Sequence, residues 1–248
     1  MMLNPYLAHA WASSPEQLAI AAAVTLAFAV LAKTLRGVNR SGALAGGLAC
    51  FLLFAGFGPS AFATLAALFV MTWVSTRLGY RRKLALGLAE RREGRNGWQI
   101  LANLAVAALG SVVFSATGNR VWLVATLGAL VEAATDTVAS EIGQYRGHDA
   151  RLITTWERVP AGTDGGITIP GSIAGMAAGL VIAAVGALGR MLPQAQLWVP
   201  VAAGFSGMFI DSILGATLQR RGWISNQAVN FFATLAAAAL AYAISMFT

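Results

Sequence analysis

Along this chain the apolar residues do not alternate with polar ones. They run in long blocks, separated by short segments rich in glycine, proline and arginine. Such blocks predict transmembrane helices, which need about 20 apolar residues, with a range of roughly 17 to 25. Eight spans follow, at 16–32, 42–57, 60–76, 99–117, 121–140, 167–188, 198–218 and 227–247. The fold expected is all-α: a polytopic integral membrane helical bundle of about eight transmembrane helices, forming a single domain over residues 1–248. Little more than Gly58-Pro59-Ser60 separates the second and third spans, a tight-turn signal that pairs them as a helical hairpin. The first span follows a leader without a positive segment. The small-residue stretch Ala8 to Ser13 precedes that span, the wrong side for signal cleavage, so the span is expected to be retained.

The basic residues test this count. With both termini outside, the inner loops hold Lys33, Arg36, Arg40, Arg77, Arg81, Arg82, Lys83, Arg91, Arg92, Arg95, Arg146, Arg151, Arg158, Arg220 and Arg221, fifteen of the seventeen Lys and Arg. Only Arg120 and Arg190 fall outside, and a wrong count would scramble that asymmetry. Two inner segments are long. Residues 77–98 mix basic residues with Leu84, Leu86, Leu88 and Ala89, and predict an amphipathic helix on the inner membrane face, with a solvated charged loop as the other reading. Residues 141–166 are polar and glycine-punctuated, suited to holding a ligand. No appended soluble domain is expected.

Composition agrees with lipid as the solvent. The chain is 57% hydrophobic and 11% charged, with a mean hydropathy of +0.67, whereas soluble domains carry roughly 25% charged residues. The net charge of +7 does not indicate nucleic-acid binding, because the basic residues sit in short loops where topology explains them. The lone Cys50 excludes an intramolecular disulfide, and only His9 and His148 are available, so a Cys/His zinc centre is excluded. The high alanine content suggests a bacterial inner membrane, with a plastid membrane as the alternative.

The ten acidic residues carry the most information. Glu16 stands at a helix start, Glu90 and Glu93 belong to the basic segment, and Asp149 and Glu157 lie among arginines. Glu132 and Asp136 fall within the fifth span and Asp211 within the seventh, while Glu141 and Asp164 lie at the inner surface. A carboxylate near the bilayer centre costs about 2.5–3.5 kcal/mol on insertion scales, so such acids mark function. Glu132 and Asp136, four residues apart, share a helical face that Ser140 continues. Asp136, Asp211 and Asn230 come to one depth, a turn or two from the inner surface. Facing carboxylates repel unless a proton or cation lies between them. A hard divalent cation suits carboxylates and phosphates. Ion pairing between helices and a proton relay in a transporter are the other readings.

The loop Val159-Pro160-Ala161-Gly162-Thr163-Asp164-Gly165-Gly166 precedes the sixth span. Its glycines and the following helix start suit an anion, and with Thr154, Thr155, Lys33 and Arg36 it forms a phosphate cradle in expectation. The small residues of Gly42 to Gly47 and Gly171 to Gly179 predict close helix packing. A faint internal echo pairs Asp136-Thr137 and Gln144 with Asp211-Ser212 and Gln219.

The run Glu132-Ala133-Ala134-Thr135-Asp136-Thr137-Val138-Ala139-Ser140-Glu141-Ile142-Gly143 resembles a signature of one integral membrane family. Pro160-Ala161-Gly162-Thr163-Asp164-Gly165-Gly166 and Asp211-Ser212-Ile213-Leu214-Gly215-Ala216-Thr217-Leu218-Gln219 are similar to two more. Further matches are Arg95 with Trp98 to Asn103, Lys33-Thr34 with Ser41-Gly42-Ala43, and Asn226 with Asn230. The family, long a domain of unknown function, includes the plant phytyl-phosphate kinase and the animal transmembrane protein 19. It looks related to the CTP-dependent polyprenol and dolichol kinases. Ala161 stands where a second proline is common in the loop.

The resemblance implies a kinase that moves a phosphoryl group from a nucleoside triphosphate, CTP by expectation, to an isoprenyl monophosphate. Its implied partners are the bilayer, the prenyl phosphate and the nucleotide, and a homo-oligomer is compatible with it. Mg²⁺ is expected on Asp136 and Asp211, with Glu132 or Glu141 ligating or behind them. Asp164 would take a second metal or the ribose. Lys33, Arg36 and Arg95 would neutralise phosphates. A cytidylyltransferase, a free-alcohol kinase and a lipid-phosphate transporter are the alternatives to be separated by experiment.

Overall fold

The computed structural model describes residues 10–146 and 149–247; His9 and His148 lie outside the described residues. Helix starts follow local chemistry. Pro15 and a reciprocal cap begin α1 (Pro15–Thr34): Gln17 N–H donates to Ser14 Oγ at 3.2 Å, and Ser14 N–H to Gln17 Oε1 at 3.1 Å. Asn39 caps α2 (Arg40–Phe57), accepting from Gly42 N–H at 2.9 Å. Gly58, with φ 75°, and Pro59 then turn the chain directly into α3 (Pro59–Arg77), giving the expected hairpin.

A short α4 (Tyr80–Ala85) leads to α5 (Gly97–Thr117), whose start is boxed by Asn96 and Gln99. Next come α6 (Val121–Arg146) and a two-stranded antiparallel ribbon, β1 (Arg151–Leu152) with β2 (Gly166–Ile167), Arg151 opposite Ile167. The chain ends with α7 (Ile169–Leu188), a 3₁₀ turn at Gln194–Gln196, α8 (Trp198–Leu214) running into a π-helical turn at Gly215–Gln219, and α9 (Asn226–Ser245). Among the described residues eight helices are long and apolar enough to cross a membrane, and each matches one expected span.

The expected amphipathic helix over 77–98 is not formed. Between the end of α3 at Arg77 and the start of α5 at Gly97 only the six residues of α4 are helical, and the rest doubles back over the end of the bundle. Gly94 makes this possible: its φ is 85°, and a methyl there would lie 2.5 Å from Gly37 C and Val38 N. The backbones then lock, with Arg95 N–H donating to Gly37 O (3.1 Å) and Asn39 N–H to Arg95 O (3.0 Å).

α6 is the hub. Its span is 78% buried against 17% for α1, and α3, α5, α7, α8 and α9 all pack on it. The helix that carries Glu132 and Asp136 is thus the one enclosed by protein, as the cost of acids in lipid requires. α7 reaches it through small residues: a methyl at Gly175 would sit 2.6 Å from Thr135 O, and one at Gly171 2.6 Å from Ala139 O. The basic loops 35–39, 78–96, 149–168 and 220–225 all follow from the alternation of the helices to one end of the bundle.

Candidate functional site

Four acidic side chains gather at the basic end. α6 presents Glu132 and Asp136 one turn apart, α8 brings Asp211, and the glycine loop brings Asp164. α8 comes this close because it lacks side chains at the contact. A methyl at Gly207 would lie 2.6 Å from Glu132 Cγ, and one at Gly204 2.8 Å from Glu132 N. Glu132 is 1% exposed, and among the described residues neither of its oxygens has a hydrogen-bond partner; nor does Asp211 Oδ2. Buried polar atoms left unpaired are costly, and these three are carboxylate oxygens. Just past Asp211 the α-helix gives way to the π turn, where Gly215 N–H reaches both Asp211 O and Ser212 O. Such turns recur at functional sites.

Two spaces meet these residues, and a third adjoins them through shared lining residues. A polar cleft of about 390 Å³ is lined by Asp136, Ser140, Asp211, Asn103, Asn226 and Asn230, and roofed by Glu90, Arg91 and Arg95. A smaller chamber of about 140 Å³ opens beneath Gly162, Thr163, Asp164, Gly165 and Gly166, and shares Asp136, Asp211, Gln144 and Asn226 with the cleft. Gln144 and Gln219, the two ends of the internal echo, both line this chamber. On the other side an apolar groove of about 310 Å³ runs between α1, α2, α3 and α5, sharing Arg91, Arg95, Asn103 and Thr137 with the cleft. Arg95 therefore stands where groove meets cleft, its Nη1 3.4 Å from Thr137 Oγ1. Asp136 and Asp211 stand where cleft meets loop chamber.

Glycine is required in that loop. Gly162 and Gly165 have φ of 80° and 74°, and Gly165 lies against the backbone of Ala216 in the π turn. Thr163 Oγ1 donates to Pro160 O at 2.7 Å, and Thr168 caps α7 by accepting from Gly171 N–H at 3.1 Å. Burial pushes the Asp164 carboxyl up, and the positive charge of Arg220 opposes that shift.

A hard cation fits the donor set at Asp136 and Asp211, which is all oxygen and includes one buried oxygen without a partner, Asp211 Oδ2. Among the described residues no three Asp, Glu, His or Cys side chains close on one point as a ready-made metal cage. Mg²⁺ usually takes one or two carboxylates, with phosphates and waters completing its shell, so two suffice.

Asp136, Asp211, Asp164, Arg95, Asn230 and the glycines come together as expected, with Glu132 packed behind. Others do not. Glu141 borders the cleft, but its carboxylate is engaged by Lys83 and by Thr76 Oγ1 (3.0 Å), which corrects its expected role as a metal ligand. Lys33, Thr154 and Thr155 are exposed and line none of the three spaces; Thr155 Oγ1 donates instead to Glu157 (3.1 Å). Arg36 lies on the groove, away from the cleft.

Two residues that sequence reasoning placed on the surface belong inside. Lys83 is fully buried. Glu90 lines the cleft, accepting from Gln99 Nε2 at 2.9 Å. The available signal for Glu90 was the Asn96–Gln99 capping pair, which ends the segment tightly beside it.

The model of the family described as integral membrane protein DUF92 matches residues 23–238. The chain is 33% identical over 201 residues to the uncharacterized membrane protein sll0875 of Synechocystis, covering 78% of this chain and 77% of that one. It is 31% identical over 208 residues to the chloroplastic protein VTE6 of Arabidopsis thaliana, covering 78% of this chain and 61% of that protein. It is 30% identical over 209 residues to the uncharacterized membrane protein MJ0933 of Methanocaldococcus jannaschii, covering 84% and 85%. No solved structure matches the chain.

Proposed function

We propose, from the premise that this chain belongs to the integral membrane family DUF92, that it is a membrane kinase converting an isoprenyl monophosphate, phytyl phosphate in the type case, to the diphosphate. CTP is the donor in this reading, and the basic end faces the cytoplasm of a bacterial inner membrane. The observation that carries it is the order of the three spaces: an apolar groove, then Arg95, then a cleft, then two carboxylates, then a glycine loop. A lipid tail, its phosphate, the transferred group and a nucleotide occur in that same order. The similarity to the family that includes the plant phytyl-phosphate kinase supports the donor and acceptor classes of this reading.

A phosphate oxygen of the acceptor attacks the γ-phosphorus, the bond to the β–γ bridging oxygen breaks, and CDP leaves. The attacking oxygen is already ionised near neutral pH, so no strong base is needed, consistent with a cleft built without histidine among the described residues. Positioning and charge neutralisation then dominate the catalysis. Arg95 and Arg91 hold the acceptor phosphate. The glycine loop receives the donor phosphates at the start of α7, where a helix dipole favours negative charge. Asn103, Asn226 and Asn230 orient polar groups across the cleft. Asp136 and Asp211 would hold Mg²⁺ with Glu132 behind them, and the ion supplies charge neutralisation between the phosphates.

Purified protein given CTP, Mg²⁺ and phytyl or geranylgeranyl phosphate should release CDP and form the prenyl diphosphate, and Asp136→Asn should abolish turnover. Release of pyrophosphate with a cytidylylated lipid would make it a cytidylyltransferase. No turnover with any nucleotide and prenyl phosphate pair would overturn the kinase reading.

A further inference from the structure

The groove has a construction of its own. α1 packs along α2 but stands off from α3, and the gap is bridged by Phe28, whose ring meets Phe62 and Phe69 edge to face, with centroids 5.4 Å away in each case. On the α2 wall the side chains are missing where the groove runs, at Gly42, Gly46 and Gly47. Along α3 the lining extends from Arg77 to Leu65, twelve residues or about 18 Å at 1.5 Å per residue. Phe28 is the deepest α1 residue on the lining, and behind it Phe62 lies tilted against Phe54 (centroids 5.7 Å apart), so aromatic rings block further passage.

The mouth has the opposite character. Arg36, Arg77, Arg91, Arg92 and Arg95 border it with a single acid, Glu90. Arg77 is held in place: its Nη2 donates to Leu35 O at 2.6 Å, and its guanidinium lies 4.0 Å over the Trp73 ring. An apolar shaft under a cationic rim complements a lipid with one anionic head. At about 310 Å³ the space is at the small end of ligand sites, which run roughly 300–1,000 Å³, so it takes one chain and excludes a diacyl lipid.

We infer that the groove between α1, α2, α3 and α5 holds the isoprenyl chain of the acceptor, and that Phe28, closing its deep end, sets the longest chain accepted. This deepens the kinase reading and rests on it for the identity of the head group. Phe28 is a specificity-determining residue, remote from the reacting atoms. Exchanging Phe28 for a small residue lets a longer chain pass toward Phe62, and a larger ring shortens the shaft. Gly46 offers an independent handle. A methyl there meets only Ile100, at 3.7 Å, so a leucine fits the backbone and fills the shaft from the α2 side.

The test uses the full chain in lipid nanodiscs with farnesyl, geranylgeranyl and longer polyprenyl monophosphates. Phe28→Ala should move the kcat/KM ratio by about tenfold toward the longer chain, the scale of hydrophobic-pocket discrimination. Phe28→Trp should move it the other way, and Gly46→Leu should raise KM for geranylgeranyl phosphate more than for farnesyl phosphate. In parallel, a diazirine-tagged farnesyl phosphate without nucleotide should label α1 and α3 residues of the groove, and Gly46→Leu should suppress that labelling. Labelling with no turnover removes the kinase reading and keeps the chain site. Turnover with an unchanged chain-length ratio in all three variants, or label placed elsewhere, overturns the inference and leaves the kinase intact. Equal labelling by a neutral diazirine phospholipid would show the groove to be an ordinary lipid crevice, and also overturns it.

Discussion

Lys83 on α4 and Glu141 on α6 form a salt bridge inside the protein, Lys83 with no exposed surface. The lysine is saturated: its Nζ also donates to Ser75 O (3.1 Å) and Thr76 O (2.9 Å), the last turn of α3. One ammonium thus ties α3, α4 and α6 together beneath the segment that carries Glu90, Arg91 and Arg95.

Breaking that pair should be expensive. Lys83→Met leaves Glu141 buried with only Thr76 as a partner, and removal of one member of a buried pair typically costs about 3–5 kcal/mol. The double variant Lys83→Met with Glu141→Leu removes both charges and should recover most of the loss. Thermal unfolding in detergent reads both. A single variant as stable as the parent would mean that the pair is not buried as described.

Asp136→Asn and Asp211→Asn should separate stability from activity. Each removes one of two repelling carboxylates, so the metal-free protein should unfold at a higher temperature than the parent. Each should also lose most of the stabilisation that added Mg²⁺ gives the parent, because ligand-linked stability scales with affinity. Phosphoryl transfer should fall by at least about 10²–10³-fold, the scale for loss of a principal electrostatic contributor. Titration of the melting temperature with Mg²⁺ decides the point. An undiminished Mg²⁺ response in both variants would place the cation elsewhere.

Hydropathy made the eight spans legible to within a few residues, because lipid imposes one length on every crossing. It also singled out Glu132, Asp136 and Asp211, since acids in a span need a reason. It failed in the loops. There a charged residue reads as solvated by default, and only tertiary contacts show otherwise. Lys83 is buried because the Ser75 and Thr76 carbonyls at the end of α3 and the Glu141 carboxylate, distant in sequence on α6, converge on it. Glu90 enters the cleft because Gly94 lets the segment fold onto Gly37 and Val38. Thr154 and Thr155 pointed to a phosphate cradle by composition, yet the turn between β1 and Arg158 carries them outward.

Stability in mild acid should depend on Asp164 and Arg220. Burial raises the Asp164 carboxyl above its ordinary 3.8, and Arg220 opposes the rise. The folded group holds its proton more tightly than the unfolded one, so its contribution is fully present below pH 3.8 and is lost as pH rises through the raised value. Arg220→Gln removes the opposing charge, so the loss should enlarge and move to higher pH, whereas Asp164→Asn should abolish it. The side chain is largely exposed, so the effect is small and calls for a difference melting curve against pH. A shift to lower pH in Arg220→Gln would show that the two charges do not interact.

Gly165→Ala should damage the loop chamber while leaving the spans in place. The residue has φ 74°, in the left-handed region, and a methyl there would run into the Ala216 backbone of the π turn. Strain of this kind costs about 1–3 kcal/mol, and the clash can be relieved only by moving the loop off the π turn. That movement would withdraw Asp164 from Asp211 and open the chamber assigned to the donor phosphates. The expected signature is a rise in KM for the nucleotide with little change in KM for the prenyl phosphate, accompanied by a lowered melting temperature. Gly87→Ala is the matched control, since Gly87 also has positive φ, at 73°, but meets nothing within 4 Å. It should carry the backbone strain without the nucleotide effect. If both variants raise the nucleotide KM equally, the loop does not act through its contact with the π turn.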